Sequence, residues 1–201
     1  MPSGMILFGP PGSGTTTLGR EVAELLGIPH FDIDDFHWRW DTKIPYTTYH
    51  SSDKRVELLT NAINKHHHFI MSGSMWSIRH AFEPMFIMAG YVLAPAEIRA
   101  ERLRARSLAR WGDRVQPGGD MYNAHGAYRD YFDTARQYDT DVSPEAYRLQ
   151  HEQWASLLPC PVLRVDGTLD VGENATMIAV QFRATLALSR NITCTKASKE
   201  V

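Results

Sequence analysis

The stretch Gly9-Pro10-Pro11-Gly12-Ser13-Gly14-Thr15-Thr16 decides how this chain is interpreted. It has the spacing G-x-x-x-x-G-[K]-[S/T] of a phosphate-binding loop, but Thr15 stands where the lysine is usual. The apolar run Met5–Phe8 precedes it, and a stretch with apolar residues at helical spacing follows from about Thr15 to Leu26. Glycines allow a close backbone approach, and successive N–H groups at a helix N-terminus bind phosphate. The context therefore predicts a nucleotide phosphate site, although Thr15 cannot supply the lysine's charge.

The rest of the chain alternates strand and helix patterns, which predicts an α/β fold with a five-stranded parallel sheet and helices on both faces. Further strands are expected at Pro29–Ile33, His68–Ser72, Gly90–Leu93 and Pro161–Val165. Further helices are expected at Asp53–Asn64, after Pro95, at Pro144–Leu157 and from Asp170. Gly27 and Pro29 form a stop signal for the first helix.

Length and composition fit one ordinary globular domain. The chain has 201 residues and a formal net charge of −2, so no overall positive charge favours nucleic acid or an anionic membrane. With no membrane-length apolar run and no signal-peptide pattern, we expect a cytoplasmic protein without nucleic-acid or membrane partners, acting as a monomer or homodimer. One domain is expected over residues 1–190, with a tail at 191–201.

An acidic segment, Phe31-Asp32-Ile33-Asp34-Asp35, ends the predicted second strand. Ligands of open parallel sheets bind outside the carboxyl ends of the strands, so these carboxylates should share a crevice with the phosphate loop. Strand alternation would point Asp32 and Asp34 to the same side. A carboxylate here can hold a Mg²⁺-bound water or orient an acceptor hydroxyl, whereas the structural alternative is a capped turn. Gly73, in Met71-Ser72-Gly73-Ser74, is expected at the end of the third strand, close to substrate.

Arginines recur along the helix after Pro95. Arg99, Arg102, Arg106 and Arg110 fall on one helical face. Arginine forks match phosphate oxygens, so Arg106 and Arg110 are candidates to stabilise a transferring phosphoryl group. Arg99 is interpreted instead as part of a solvated face. Arg55 and Arg79 are candidates to meet an anionic substrate.

These features together resemble the small P-loop kinases, a group that includes adenylate, cytidylate, shikimate and gluconate kinases. The resemblance covers roughly residues 5–186, and Gly9–Gly19 is most similar to adenylate/cytidylate-kinase-like proteins, some of which carry the same Gly-Thr-Thr-Thr. It implies a three-layer P-loop NTPase fold with a helical lid over residues 112–143 and an acceptor-binding region over residues 36–64. It also implies MgATP as phosphoryl donor and a nucleoside monophosphate, or a small hydroxylated metabolite, as acceptor.

The resemblance also assigns roles by position. ATP would contact residues of the phosphate loop and of the loop after the fifth strand: Gly9, Gly12, Ser13, Gly14, Thr15, Thr16, Thr17, Asp166 and Gly167. Mg²⁺ would lie at Thr16 and Asp32. By position, Gly73 would contact substrate, and Asp34, Arg106 and Arg110 would act in catalysis. The residues themselves, apart from the resemblance, add Asp32, Asp35, Arg55 and Arg79 as substrate-binding candidates. The missing lysine leaves a second reading open, a nucleotide-binding protein with weak or no kinase activity.

Overall fold

The structure is a computed structural model that describes residues 2–122, 135–141, 143 and 146–197, with only the backbone described for residues 190–197. Five parallel strands form its sheet: β1 Ser3–Phe8, β2 His30–Asp32, β3 His68–Ser72, β4 Phe86–Leu93 and β5 Val162–Asp166. Their spatial order is β2-β3-β1-β4-β5, so β1 lies at the centre. The predicted five-stranded parallel sheet is confirmed.

Because parallel strands need crossover connections, α-helices link β1 to β2, β2 to β3 and β4 to β5, whereas two 3-10 turns lie between β3 and β4. The bounds of the α-helices are α1 Thr15–Leu26, α2 Ile33–His37, α3 Ser52–Ile63, α4 Ala96–Trp111, α5 Tyr147–Leu157 and α6 Val171–Ala197. Short 3-10 turns span Arg79–Ala81, Glu83–Met85 and Gly112–Val115. The predicted end of α1 is confirmed, since Gly27 caps it in the left-handed conformation with φ 66°.

Alternation along β1 divides the core into two layers. Ile6 and Phe8 pack into one apolar cluster with α3 and α5, while Met5 and Leu7 pack into the other with α1 and α6. All four side chains are fully buried. A strand buried on both faces is typical of a parallel sheet covered by helices, and each such side chain contributes about 1.5–3 kcal/mol. The three-layer arrangement follows from this pattern.

Two strand boundaries differ from the sequence prediction. β2 ends at Asp32 rather than Ile33, because the Asp32 carboxylate accepts the N–H of Asp34 at 3.1 Å and caps α2. Asp32 is therefore the N-cap of α2, and Asp34 lies in the first turn of that helix. The prediction that strand alternation points both side chains to one side is wrong. β4 begins at Phe86 rather than Gly90, because residues 86–89 also pair with β1.

The solvent exposure expected for Arg99 is also wrong. Its side chain is fully buried instead of solvated, and it donates to the carbonyl oxygens of Ala94 and Ala135 at 2.9 Å each and to the carboxylate of Asp139. A buried guanidinium requires such partners, because an unpaired charge away from water is costly. Arg99 thereby joins α4 to residues 135–139.

Only the ends of the predicted lid are described, since residues 123–134 and 142 lie outside the described ranges. At the near end, Val115 and Met121 are buried. At the far end, the Tyr138 hydroxyl lies 2.7 Å from that of Tyr91 and 2.8 Å from Nδ1 of His151. The described ends of this segment are therefore packed into the domain.

The final helix extends past the boundary expected at residue 190. Its backbone is helical to Ala197. Asp170 caps the start of this helix, since its carboxylate accepts the N–H of Glu173 at 3.0 Å. Within the described ranges, no helix is both long and apolar enough to cross a membrane.

A pair of glycines tests how tightly the phosphate loop is seated. Gly12 and Gly27 both have positive φ, but a Cβ on Gly12 would lie 2.7 Å from the Arg99 carbonyl oxygen, whereas one on Gly27 would meet nothing within 4 Å. We expect Gly27→Ala to lower the free energy of unfolding by about 1 kcal/mol through backbone strain. Gly12→Ala should cost a further ~1–3 kcal/mol through overpacking, measured by urea denaturation. Equal losses in the two variants would contradict the close contact.

Candidate phosphate-binding and acceptor site

The phosphate loop joins β1 to α1 as a compact turn. The N–H of Ser13 donates to the Pro10 carbonyl at 3.1 Å, and the N–H of Leu18 donates to that of Gly14 at 2.9 Å. Gly12 and Gly14 have φ values of 85° and 103°, which side chains other than glycine rarely adopt. The loop ends at the N-terminus of a helix of 12 residues, where unpaired N–H groups attract anions.

Close packing around this loop excludes side chains at Gly9 and Gly12. A Cβ on Gly9 would lie 2.1 Å from the Val92 carbonyl oxygen, just as one on Gly12 would strike Arg99. The Ser13 side chain is fully buried beside Gly9, and its Oγ has no hydrogen-bond partner among the described residues. A buried hydroxyl without a partner fits a loop that binds a phosphate ligand. Thr15, Thr16 and Thr17 form the first turn of α1.

The loop after β5 packs directly on the phosphate loop. The N–H of Gly167 donates to the Leu93 carbonyl at 2.7 Å, and a Cβ on Gly167 would lie 2.4 Å from the Ser13 carbonyl oxygen. The Asp166 carboxylate accepts the Thr168 hydroxyl at 2.6 Å and the Thr168 N–H at 2.8 Å. These bonds hold the pKa of Asp166 below its usual range. Gly167 therefore lies where the sequence predicted, while the Asp166 carboxylate is engaged in its own turn.

The ends of β1, β2 and β3 converge at Gly73. Its N–H donates to the Leu7 carbonyl at 3.0 Å, and its φ of 114° requires glycine. A Cβ on Gly73 would lie 3.3 Å from Cβ of Ile33 and 3.9 Å from a carboxylate oxygen of Asp32. The acidic segment therefore borders the same sheet edge as the phosphate loop, as the sequence predicted.

Among the carboxyls at this edge of the sheet, that of Asp34 has the most strongly shifted pKa. The residue as a whole is exposed to solvent, but protein atoms surround most of its carboxyl group. Loss of hydration, followed by the charge of Asp32, raises the pKa of Asp34 to about 6, against the opposing charge of Arg106 and a hydrogen bond from Trp38. A carboxyl with a pKa near 6 is ionised at neutral pH and can still take up a proton.

Asp35 shares these influences to a smaller degree. Partial burial and the charge of Asp32 raise its pKa, while Arg20 and Arg110 act in the opposite direction. Mg²⁺ commonly binds one or two carboxylates together with phosphate oxygens. The hydroxyl of Thr16 and the carboxylate of Asp32 are oxygen donors that fit this pattern. Among the described residues there is no cluster of three or more His, Cys, Asp or Glu side chains that could hold a metal alone.

Four of the five arginines of α4 reach different places. Arg99 is buried, and Arg106 lies close enough to Asp34 to lower its pKa. Nη1 of Arg110 donates to the Tyr46 hydroxyl at 2.7 Å. Nη1 of Arg102 lies 3.4 Å from the Ser13 carbonyl oxygen of the phosphate loop. Sequence reasoning favoured Arg106 and Arg110 for a phosphate role, and that role stays a prediction. The described contacts add Arg102, whose guanidinium reaches the phosphate loop.

Two aromatic side chains, those of Trp40 and Tyr46, lie next to the acidic segment. Trp40 and Tyr46 meet edge to face at 5.1 Å, and the Arg110 guanidinium lies 5.9 Å from the Trp40 ring. Tyr46 has a φ of 61°, which is strained for a bulky residue. Its phenol interacts electrostatically with both Asp34 and Arg106, and burial raises its pKa. Both residues fall in the acceptor-binding region that the resemblance implied for residues 36–64.

Arg55 is buried in an unusual setting for a cation. Nη1 contacts Nδ1 of His37 at 2.8 Å, and Nη2 donates to the hydroxyls of Ser52 at 3.0 Å and Ser77 at 3.1 Å. Its buried Nε has no hydrogen-bond partner among the described residues. Burial and the charge of Arg55 lower the pKa of His37 to about 4, so the histidine is neutral at pH 7. No carboxylate of the described chain forms an ion pair with Arg55.

Arg79, the other predicted anion contact, is held by neighbouring residues. Its Nη1 donates to the Trp76 carbonyl at 2.7 Å, and its guanidinium lies 3.8 Å from the Trp76 ring. Its Nε lies 3.5 Å from the carboxylate of Glu83. The structure therefore places Arg79 in a local ion pair and Arg55 near α2.

The raised pKa of Asp34 predicts a stability effect. The folded pKa of Asp34 exceeds its unfolded value of 3.8, so the folded protein holds a proton that the unfolded chain has released. The free energy of unfolding therefore falls as pH rises from about 4 to about 6, and the loss is constant above that range. Asp34→Asn should therefore raise the midpoint of thermal unfolding at pH 7.5, and the gain should vanish near pH 3.5.

The matched control for that experiment is Asp53→Asn in the first turn of α3. This variant should show no gain that grows between pH 4 and pH 7.5. A gain for Asp34→Asn that is constant with pH would contradict the pKa assignment.

Comparison with known proteins confirms the fold. No family model matches the chain. The uncharacterized protein YqaC of Bacillus subtilis (strain 168) is 28% identical over 172 residues, which cover 86% of this chain and 93% of that protein.

Two solved structures are similar. A gluconokinase from Sinorhizobium meliloti 1021 matches with a TM-score of 0.51 and 14% identity, over 96% of this chain and 97% of the other. A shikimate kinase from Acinetobacter baumannii, in complex with shikimate, matches with a TM-score of 0.47 and 19% identity, over 94% and 95%. The chain has the α/β fold of the gluconokinase.

Proposed function

We propose that this protein is a kinase that transfers the γ-phosphoryl group of MgATP to a small acceptor. The observation that carries the proposal is the meeting of a glycine-built phosphate loop and the perturbed carboxyl of Asp34 at one edge of the sheet. The fold shared with a gluconokinase supports it. Perturbed carboxyls in a cleft are candidates for proton transfer.

In this mechanism the chain acts by positioning and electrostatics. The N–H groups of the phosphate loop and of the first turn of α1 would bind the phosphates. Thr16 and Asp32 would hold Mg²⁺, which would supply positive charge to offset that of the phosphates. Asp34 accepts the proton of the acceptor hydroxyl as its oxygen bonds to the γ-phosphorus. The bond between that phosphorus and the bridging oxygen of ADP breaks, and Arg106 lies beside the reacting carboxyl.

The environment of Arg55 supports an anionic acceptor. Arg55 contacts His37, which follows Asp34 by one helical turn, and its charge has no carboxylate partner within the described ranges. A buried cation without a counterion is costly unless a ligand supplies the opposite charge. The proposed acceptor therefore carries a carboxylate or phosphate as well as a hydroxyl.

Two acceptor classes fit this description. A phosphate oxygen of a nucleoside monophosphate, the class that the sequence favoured, is already deprotonated at neutral pH and needs no base. A hydroxyl does need one, and the pKa of about 6 at Asp34 is suited to that step. The pKa of Asp34 therefore supports a small hydroxylated acid, such as a sugar acid, as the first acceptor class to test.

A panel of acceptors separates these possibilities. ADP release from MgATP is followed with hydroxylated carboxylic acids, sugar phosphates and nucleoside monophosphates. We expect acceptor-dependent turnover with a hydroxylated acid, lost by 100-fold or more in Asp34→Asn, in keeping with general-base effects of about 10²–10⁴. MgATP binding without turnover on any acceptor would instead favour a nucleotide-binding protein, the function to which Thr15 points.

The role of Arg55 has its own test. Arg55→Gln keeps hydrogen-bonding groups but removes the charge, so KM for the anionic acceptor should rise about tenfold or more with a small change in kcat. Arg164→Gln is the control, because Arg164 is exposed and paired with Glu152 away from the acidic segment. A KM unchanged in the folded Arg55→Gln variant would argue against anion binding at this position.

A further inference from the structure

Thr15 leaves the phosphate loop without a side-chain cation. In loops of this spacing the lysine places a point charge on the β- and γ-phosphates, in addition to the backbone N–H groups. The lysines of the chain are at positions 43, 54, 65, 196 and 199, and none belongs to the loop or to α1. Backbone donors remain, but a nucleoside triphosphate carries several negative charges, so a cation from another element is needed.

Among the contacts of the described residues, the guanidinium of Arg102 reaches the loop. Its Nη1 lies 3.4 Å from the Ser13 carbonyl oxygen and 3.8 Å from the point that a Cβ on Gly14 would occupy. Ser13 and Gly14 immediately precede Thr15. The single bond at 3.4 Å is long, and Arg102 is exposed and pairs with no carboxylate among the described residues. Its guanidinium is therefore available to an incoming phosphate group.

The packing of α4 fixes this arrangement. Gly12 lies against the backbone of Arg99, whose Cα would be 3.0 Å from a Cβ on Gly12. Arg102 follows Arg99 by about one helical turn, so the same contact that seats the loop directs Arg102 to it. Arg106 and Arg110, the next turns along α4, are engaged near Asp34 and with Tyr46.

We propose that Arg102 performs the task of the missing lysine, placing its guanidinium on the β- and γ-phosphates of the bound nucleotide. This inference rests on the nucleotide binding assumed in the proposed function. A planar guanidinium can bind two phosphate oxygens at once, which suits a donor held on a neighbouring helix. The cation thus belongs to α4, the helix that also carries Arg106 and Arg110.

The test is a double-mutant cycle between positions 15 and 102. Affinities for MgATP and for AMP are measured by isothermal titration calorimetry in the wild type, Arg102→Gln, Thr15→Lys and the double variant. Arg102→Gln should weaken MgATP binding at least tenfold and AMP binding far less, because AMP lacks the β- and γ-phosphates. Thr15→Lys alone should not strengthen MgATP binding, because the introduced lysine and Arg102 would then compete for the same place. In the Arg102→Gln background, Thr15→Lys should restore MgATP binding.

The control is Arg104→Gln, which removes the same charge from an exposed position of α4 off the arginine face. Circular dichroism verifies the fold of each variant. Wild-type affinity for MgATP in Arg102→Gln, or the same gain from Thr15→Lys in both backgrounds, would overturn the inference. Because the readout is binding, those results can occur while acceptor-dependent turnover persists, and turnover can be absent while Arg102 still governs MgATP affinity. A wild type that binds no MgATP would overturn both.

Discussion

The contact between Gly12 and the backbone of Arg99 is the constraint on which the functional edge of this protein depends. It exists only because position 12 has no side chain, and it sets the phosphate loop against α4 rather than against solvent. Arg99 then continues the connection on its other side, through its buried guanidinium, to residues 135–139. One residue of α4 thus touches the loop with its backbone and anchors a distant segment with its side chain. Changes on either side of α4 can reach the loop through rigid packing.

Electrostatics along this edge divides into three zones. The phosphate loop provides partial positive charge from N–H groups, and α4 supplies cations to the loop and to the acidic segment. Within the acidic segment, the charge of Asp32 raises the pKa of Asp34 and of Asp35. Asp34 and Arg106 illustrate the balance, since the arginine opposes but does not cancel the rise in the carboxyl's pKa. A site of this design keeps one carboxyl near its titration point without leaving it in a wholly apolar pocket.

Sequence reasoning predicted the parts of this fold that depend on local pattern. The loop spacing, the glycine stop after α1 and the run His68–Ser72 all encode their structure within a few neighbouring residues. It failed where a distant partner decides the outcome. The burial of Arg99 depends on Ala135 and Asp139, which helical periodicity cannot reveal. The contact of Arg102 with Ser13 joins two elements far apart in sequence, so spacing along α4 could identify the arginine face but not which member touches the loop. The early end of β2 was readable in principle, because an aspartate two residues before a second acidic residue is a common helix cap.

The position of Arg102 on a separate helix has an evolutionary consequence. A cation within the loop moves with the loop, so its inheritance depends on one short motif. Here the corresponding charge and the loop belong to different elements, and replacing either residue alone leaves one place with two cations or with none. Positions 15 and 102 should therefore change together among descendants of this chain. A motif confined to residues 9–16 does not include this covariation.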